Sequence, residues 1–164
     1  MSQSLPDAML RERRPIGGRR PEVSAARTKR ESVVALKGVP LFADLPKRAL
    51  QRLANEADEL SFEPGARLVE EGLLGETLFV VIQGRGKVVR RDRRVGSVVP
   101  GDFFGELSTI DGGPRTATVV AETPMRVLRL FRATLRKILK DDPDLAVKIL
   151  DGMVRRIRQV ERGR

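Results

Sequence analysis

The residues best suited to chemistry lie together in one segment, Gly101 to Thr118, with the sequence GDFFGELSTIDGGPRTAT. This segment has a carboxylate in a Gly-Glu pair, a turn rich in Gly and Pro, and a lone Arg in front of Thr-Ala-Thr. A phosphate is bound by backbone N–H groups and a cation. A sugar hydroxyl needs a fixed acceptor such as a carboxylate. The segment therefore predicts a site for a small anionic ligand that also carries a sugar hydroxyl.

The amino-acid composition argues against an enzyme. The 164 residues include no Cys and no His. This excludes thiolate zinc sites, most nucleophilic triads and the commonest general base, although carboxylate-only catalysis stays open. We predict a non-enzymatic protein with no metal and no other cofactor. The absence of Cys favours a cytoplasmic location, and apolar runs such as residues 78–82 are far shorter than the roughly 20 residues of a membrane-spanning helix.

The charge of the chain is strongly basic. Its formal net charge is +10, from 32 Lys and Arg against 22 Asp and Glu. Such a surface attracts nucleic acid, acidic membranes or an acidic protein. Aromatic residues make up only 4%, with no Trp or Tyr, so the stacking platforms of single-strand binders are mostly missing. The alternative, to which we give the same weight, is a basic surface that binds none of these partners.

Residues 1–32 are predicted to form a basic, disordered arm. They show no apolar periodicity and therefore have little to bury. Several arginines cluster there, at Arg11, Arg13, Arg14, Arg19 and Arg20. The arm is interpreted as a solvated tail, with contact to nucleic acid or a partner, or an organelle transit peptide, as the alternatives.

The rest of the chain is predicted to be mainly β with flanking helices. A helix spans residues 45–58, with Asp44 as its N-cap and Pro46 in its first turn. Short strands separated by turn residues follow at 60–62, 67–70, 77–82, 87–91, 93–99, 117–121 and 125–131. Many short strands with evenly spaced turns predict a small antiparallel β-roll or jelly-roll barrel. Two C-terminal helices then span residues 133–140 and run from Pro143 onwards.

The last helix carries an apolar seam with spacings of three, four and three. Its members are Leu150, Met153, Ile157 and Val160. Under two heptads is short for a coiled coil. The seam therefore predicts either packing on the β-roll of the same chain or a homodimer formed through this helix.

This order of elements, with GELSTIDGGPRTATV between two late strands, resembles the cyclic-nucleotide-binding domain family. That family includes cyclic-AMP receptor proteins, regulatory subunits of cyclic-nucleotide-dependent kinases, and cyclic-nucleotide-gated channels. The motifs PLFADLP, PGARLVEEG and LFVVIQGRGKV match it in the same order. The resemblance covers about residues 39–160, and the domain is predicted to span residues 33–164. It implies that the ligand is cAMP or cGMP.

The first half of the segment is then expected to bind the sugar and part of the phosphate. Gly105 lets the chain turn sharply into a short helix that begins near Glu106. Glu106 is expected to accept a hydrogen bond from the ribose 2′-hydroxyl, or else only to favour the helix dipole. The N–H groups of Leu107 and Ser108 are donors at a helix start and would point at the anion.

The second half is expected to bind the cyclic phosphate. Arg115 would pair with two phosphate oxygens through its planar fork, unless it is an ordinary surface arginine. Thr116 and Ala117 would add a hydroxyl and an N–H group. Apolar candidates for the base pocket are Val80, Val88 and Val119, for each of which core packing is the preferred reading. Met153, Val154 and Ile157 are candidates to cap the base.

The chain ends at Arg164 without a helix-turn-helix, kinase or channel segment. We therefore expect a sensor without its own effector domain. It would act on an effector protein in trans when ligand binding repacks the C-terminal helices. The alternative is a basic scaffold that associates with nucleic acid or protein and does not depend on nucleotide. A cupin-like enzyme is disfavoured, because such sites usually need His ligands.

Overall fold

The computed structural model describes residues 22–23, 29–39, 42–43, 45–105 and 111–162. Their strands form a five-stranded sheet of order β1-β2-β9-β4-β7 and a four-stranded sheet of order β3-β8-β5-β6. All pairings are antiparallel. The strands are β1 (Glu22–Val23), β2 (Asp58–Phe62), β3 (Arg67–Val69), β4 (Thr77–Gln83), β5 (Gly86–Arg90), β6 (Arg93–Val98), β7 (Phe103–Phe104), β8 (Thr118–Ala121) and β9 (Met125–Phe131).

Helices flank the sheets in the sequence on both sides. They are α1 (Lys29–Lys37), α2 (Lys47–Glu56), α3 (Arg132–Asp141) and α4 (Pro143–Arg162). Over the described residues, no helix combines the length and the apolar character that crossing a membrane would require.

The five-stranded sheet is the middle layer of the molecule. On β4, Leu78 and Val80 belong to the core that includes Leu53 of α2. The alternate residue Phe79 faces the other core, where it lies with Val119 of the four-stranded sheet. Because successive side chains of a strand point to opposite faces, one sheet supports helices on one side and the second sheet on the other.

The register of two strands sets the position of the candidate site. β7 pairs with β4 through Phe79↔Phe104 and Val80↔Phe103, at an edge of the five-stranded sheet. β8 lies inside the four-stranded sheet, between β3 and β5. The segment between β7 and β8 therefore crosses from one sheet to the other.

The predicted fold class, mainly antiparallel β with flanking helices, is confirmed. The described strands form two sheets rather than one closed barrel. Helix α2 is shorter than predicted, because Ala57 is already extended and the chain enters β2 at Asp58. Pro46 is its N-cap residue and makes no side-chain cap, while Asp44, the predicted cap, lies outside the described residues.

Two elements lie within or extend across the end of the predicted arm, and neither was predicted from the sequence. β1 pairs with β2 through Glu22↔Ser61 and Val23↔Leu60. Helix α1 begins at Lys29, and its Leu36 is fully buried in the helical core. Residues 1–21 and 24–28 lie outside the described residues, so the disorder of that part stays a prediction.

Helix α4 is anchored at its start and leaves an apolar stripe exposed further on. Leu145 is completely buried. The stripe consists of Val147 (54% exposed), Leu150 (58%), Val154 (48%) and Ile157 (58%). Of the predicted seam, Leu150 and Ile157 are thus exposed, while the side chains of Met153 and Val160 lie outside the described set. The described part of the seam does not pack on the β-roll of its own chain.

Candidate ligand-binding site

Arg115 is buried where β4 begins and β7 ends. Only 3% of it is exposed. Its Nη2 donates to the Thr77 hydroxyl at 2.8 Å, and its Nη1 donates to the Gly105 carbonyl at 3.1 Å. Both of these acceptors are neutral oxygens, and they fix the plane of the guanidinium relative to the segment that follows β7.

The main chain of Arg115 is held as firmly as its side chain. Its N–H donates to the Leu73 carbonyl at 2.8 Å, and its carbonyl accepts from the Gly72 N–H at 2.9 Å. The preceding Pro114 forms an isolated bridge with Leu74. The loop between β3 and β4 therefore positions Arg115 from outside the segment itself.

One ring of a stacked aromatic pair lies near the guanidinium. Phe79 of β4 and Phe104 of β7 stack with their ring centroids 5.1 Å apart. The guanidinium carbon of Arg115 is 6.0 Å from the Phe79 centroid, at the outer limit of a cation–π contact. The Phe79 ring is therefore an apolar neighbour of the guanidinium.

Glycine is the residue type that fits at position 105, at the end of β7. Its φ is +85°, a left-handed conformation that L side chains rarely adopt. A Cβ atom there would also lie 2.5 Å from Nη1 of Arg115 and 2.7 Å from the Thr77 carbonyl. The absence of a side chain is thus what lets Arg115 reach the Gly105 carbonyl.

The turn before Arg115 contacts helix α3. Asp111 stabilises the turn by accepting the Gly113 N–H at 2.7 Å. The guanidinium of Arg132, the first residue of α3, packs so closely on Gly112 that a Cβ there would meet its Nη1 at 2.6 Å. The Arg132 N–H also donates to the Glu76 carbonyl at 2.7 Å. The start of α3 is therefore tied both to this turn and to the residue before β4.

The structure brings two of the predicted site residues into direct contact, Gly105 and Arg115. The reading of Arg115 as an ordinary surface arginine is wrong, because the residue is buried. Thr116 is exposed, and Ala117 is half-buried. The predicted residues Glu106, Leu107 and Ser108 lie outside the described residues.

The candidates for a base pocket separate into two groups. Val119 is buried in the core between the two sheets, and Val88 packs against that core. Val80 belongs to the core on the helix side of the middle sheet, on the opposite face from Phe79. Of the candidates to cap the base, Val154 and Ile157 are exposed, and the side chain of Met153 is outside the described set.

The contacts made by Thr77 and Arg132 were not predicted from the sequence. Thr77 was visible only as the start of a strong strand, and it is one of few polar residues buried in the described chain, at 5% exposure. Arg132 lay at a predicted strand–helix junction without any motif. Within the described residues, no group of three His, Cys, Asp or Glu side chains is placed to hold a metal ion.

Comparison with known proteins gives one consistent family. Residues 59–142 match the model of the cyclic nucleotide-binding domain. The chain is 32% identical over 124 residues to a cAMP-dependent protein kinase regulatory subunit of Aspergillus fumigatus, which covers 74% of this chain and 30% of that protein. It is 31% identical over 134 residues to a CRP-like cAMP-activated global transcriptional regulator of Mycobacterium tuberculosis, covering 79% of this chain and 59% of the regulator.

Among solved structures, the catabolite activator protein of Thermus thermophilus superposes with a TM-score of 0.69. The two are 27% identical, and the match covers 74% of this chain and 60% of that one. The chain thus spans only 30% to 59% of the length of these two curated relatives.

The close contact at Gly105 leads to a stability prediction. Gly105→Ala should lower the free energy of unfolding by about 2–5 kcal/mol, the sum of left-handed backbone strain and overpacking. Gly65→Ala is the matched control, since Gly65 has a φ of +88° and no atom lies within 4 Å of the position that a Cβ would take there. It should cost only the backbone term, about 1–2 kcal/mol.

Urea unfolding of both variants and the parent protein measures the difference. Equal losses in the two variants would mean that the guanidinium of Arg115 does not pack against Gly105.

Proposed function

The chain belongs to the cyclic nucleotide-binding domain family, and we propose that it is a regulatory module whose ligand is cAMP or cGMP. Ligand binding would be passed to a partner through the C-terminal helices. The segment from Gly105 to Ala117 would form the phosphate and ribose site. The chain would act in the cytoplasm as a non-enzymatic sensor.

The observation that carries this proposal is the buried guanidinium of Arg115. A guanidinium has five N–H donors in a planar fork, so one group can be held by protein oxygens and still meet an anion. The Thr77 hydroxyl and the Gly105 carbonyl orient this fork before any ligand arrives. Such preorganisation reduces the conformational entropy that the Arg115 side chain would lose when a phosphate binds.

Other groups of the segment complete the proposed site. The chain passes directly from Gly105 to Glu106, so the ribose acceptor would lie next to the carbonyl that holds Arg115. Glu106, Leu107 and Ser108 enter the proposal on the sequence pattern alone. The hydroxyl of Thr116 and the N–H of Ala117 would supplement Arg115 at the phosphate, since both follow it directly in the chain.

The relatives favour cAMP over cGMP and a regulatory over a catalytic role. One is named a cAMP-dependent protein kinase regulatory subunit, and another a cAMP-activated transcriptional regulator. We therefore propose cAMP as the preferred ligand.

Arg132 offers a direct route from the site to the C-terminal helices. Its side chain packs on Gly112 of the turn that leads into Arg115, and its backbone opens helix α3. A ligand that orders this turn would move or fix the first residue of α3, and α4 follows after one residue, Asp142. The mechanism we propose is a population shift of these helices.

The exposed stripe of α4 is the proposed output surface. Val147, Leu150, Val154 and Ile157 are each about half exposed and recur at spacings of three, four and three. Such spacing places them on one helix face. We propose that a second copy of the chain covers this face in a homodimer. An effector protein would then bind the homodimer in its ligand-bound arrangement.

Loss of the arginine fork should abolish tight nucleotide binding. Isothermal titration of the intact protein with cAMP should show binding, weaker with cGMP. Arg115→Lys keeps the charge but loses the planar fork, and it should weaken cAMP binding at least tenfold, about 1.5–3 kcal/mol.

The control variant is Arg126→Lys, the same change in an arginine of β9 that pairs with Glu59 of β2, away from the site. It should bind like the parent protein. Absence of binding to either nucleotide by the intact protein contradicts the proposed function.

Arg132 should be needed more for transmitting the effect of cAMP binding to α4 than for cAMP binding itself. In the intact protein, cAMP should slow amide hydrogen exchange in α4 by about 5- to 150-fold, which corresponds to a coupling of about 1–3 kcal/mol. Arg132→Ala should still bind cAMP but lose this slowing. Arg136→Ala, an exposed change in the same helix, should keep both, and an unchanged response in Arg132→Ala would exclude this route.

The homodimer depends on the apolar stripe. Sedimentation equilibrium should show a dimer for the intact protein and a monomer for Leu150→Lys combined with Ile157→Lys, because two charges would be buried in the interface. Arg155→Glu changes an exposed position of the same helix that is three or four residues from none of the stripe residues, and it should leave the dimer intact. A monomeric intact protein would show that a different partner covers this face.

A further inference from the structure

The β5–β6 hairpin concentrates positive charge that the proposed nucleotide site does not use. We call residues 86–98 the basic hairpin. Its tip reads Arg-Arg-Asp-Arg-Arg, at residues 90–94, and Lys87 precedes it on β5. Asp92 is the only acidic residue of the hairpin. The hairpin lies at an edge of the four-stranded sheet, where β6 pairs with β5 alone.

Within the described residues, two of the four tip arginines make side-chain hydrogen bonds and the other two do not. Arg94 donates to both carboxylate oxygens of Glu122, at 2.5 and 3.3 Å, and this hydrogen bonding lowers the pKa of Glu122. Arg90 donates from Nε to the Thr116 carbonyl at 3.0 Å. For Arg91 and Arg93, the described part of the chain provides no side-chain hydrogen bond or ion pair, and both residues are exposed.

The tip is held in an arrangement that is locally unfavourable. Arg90 and Arg93 lie directly opposite each other in the ladder, and like charges in such a pair are destabilising. Arg91 and Asp92 form the two-residue turn with φ values of 49° and 61°, a conformation for which Asn-Gly is usual. Opposed cations and a strained arginine favour a binding role over a structural one.

Contacts from the sheet nevertheless keep the tip in place. The Arg91 N–H donates to the Glu71 carboxylate at 2.9 Å, and the Arg90 side chain ties the other side of the tip to Thr116. The guanidinium groups are therefore carried on a braced ribbon, which limits the entropy lost when they meet a ligand.

We propose that the basic hairpin binds the phosphate backbone of a nucleic-acid duplex without reading its bases. A two-stranded ribbon fits the major groove. The tip carries four arginines within five residues, a dense positive charge that matches a duplex with about one negative charge per 1.7 Å of its axis. Arginine is the side chain best suited to phosphate oxygens. This activity needs no bound nucleotide, because it is carried by guanidinium groups other than that of Arg115.

Two other acidic partners fit the hairpin less well. A stable protein interface needs a buried apolar centre, and a membrane surface favours exposed apolar anchors among the cations. Val95 is the only large apolar side chain of the hairpin that is exposed. A regular array of phosphates requires neither feature.

The test measures the salt dependence of binding to a short fluorescent DNA duplex by anisotropy. The full chain is used, so that the arginines of residues 1–32 are present in every variant. Arg91→Asn combined with Arg93→Gln should reduce the slope of log K against log salt by about 1.8 and weaken binding at least about tenfold near 0.1 M salt. Its melting temperature should equal or exceed that of the parent protein, because the opposed charge and the strained arginine are gone.

The control is Arg136→Gln combined with Lys137→Gln, which removes two exposed charges from helix α3 and should change the slope far less. Equal slopes for the two double variants would overturn the proposal in favour of overall charge or the N-terminal residues. It would also be overturned by no binding of the intact protein at about 50 mM salt. So would loss of binding to phosphatidylserine vesicles in the hairpin variant with DNA binding unchanged.

Discussion

The burial of one arginine charge is the constraint on which the rest of the site depends. A guanidinium removed from water is tolerated only when oxygens are placed to receive its N–H groups. Here the hydroxyl comes from Thr77, the first residue of β4, and the carbonyl from Gly105, directly after the neighbouring strand β7. The carbonyl is accessible only because Gly105 has no side chain and can adopt a positive φ. The register of β4 with β7 therefore determines the position of the charge.

That dependence reaches the helices through the same sheet. β4 presents Phe79 to the site side and Leu78 and Val80 to the helical core. A close-packed layer transmits small displacements, because its side chains have few alternative arrangements. Arg132 adds a polar contact, since its N–H is bound by the residue before β4 and its side chain packs on the turn before Arg115. The site is thus linked to the helices in two ways, through core packing and through Arg132.

Local patterns predicted what is encoded locally. Alternating strand patterns and turn glycines predicted the fold class. The Gly-Glu and Pro-Arg motifs predicted that Gly105 and Arg115 belong to one site. The hydrogen bond from Arg115 to Thr77 joins residues 38 positions apart, and no periodicity in either segment specifies it. Helix α1 was missed because its apolar residues form one short run, 33–36, without a helical period, whereas burial of Leu36 against the helical core stabilises it. Tertiary packing decided that element, as it does for most short helices.

The same strand-to-strand contacts connect the inside of the four-stranded sheet with its rim. Arg90 belongs to the basic hairpin, yet its Nε is bound by the carbonyl of Thr116, the residue after Arg115. An anion at Arg115 and a phosphate array at the hairpin would therefore act on adjacent peptide groups. If binding at one changes this hydrogen bond, each ligand must alter the affinity of the other by the same factor, because coupling free energy is reciprocal. Two anions bound to one short segment also repel each other, and salt weakens the part of that repulsion that acts through solvent. The coupling is thus the sum of an effect through the Arg90 contact and a direct repulsion, and raising the ionic strength reduces mainly the second.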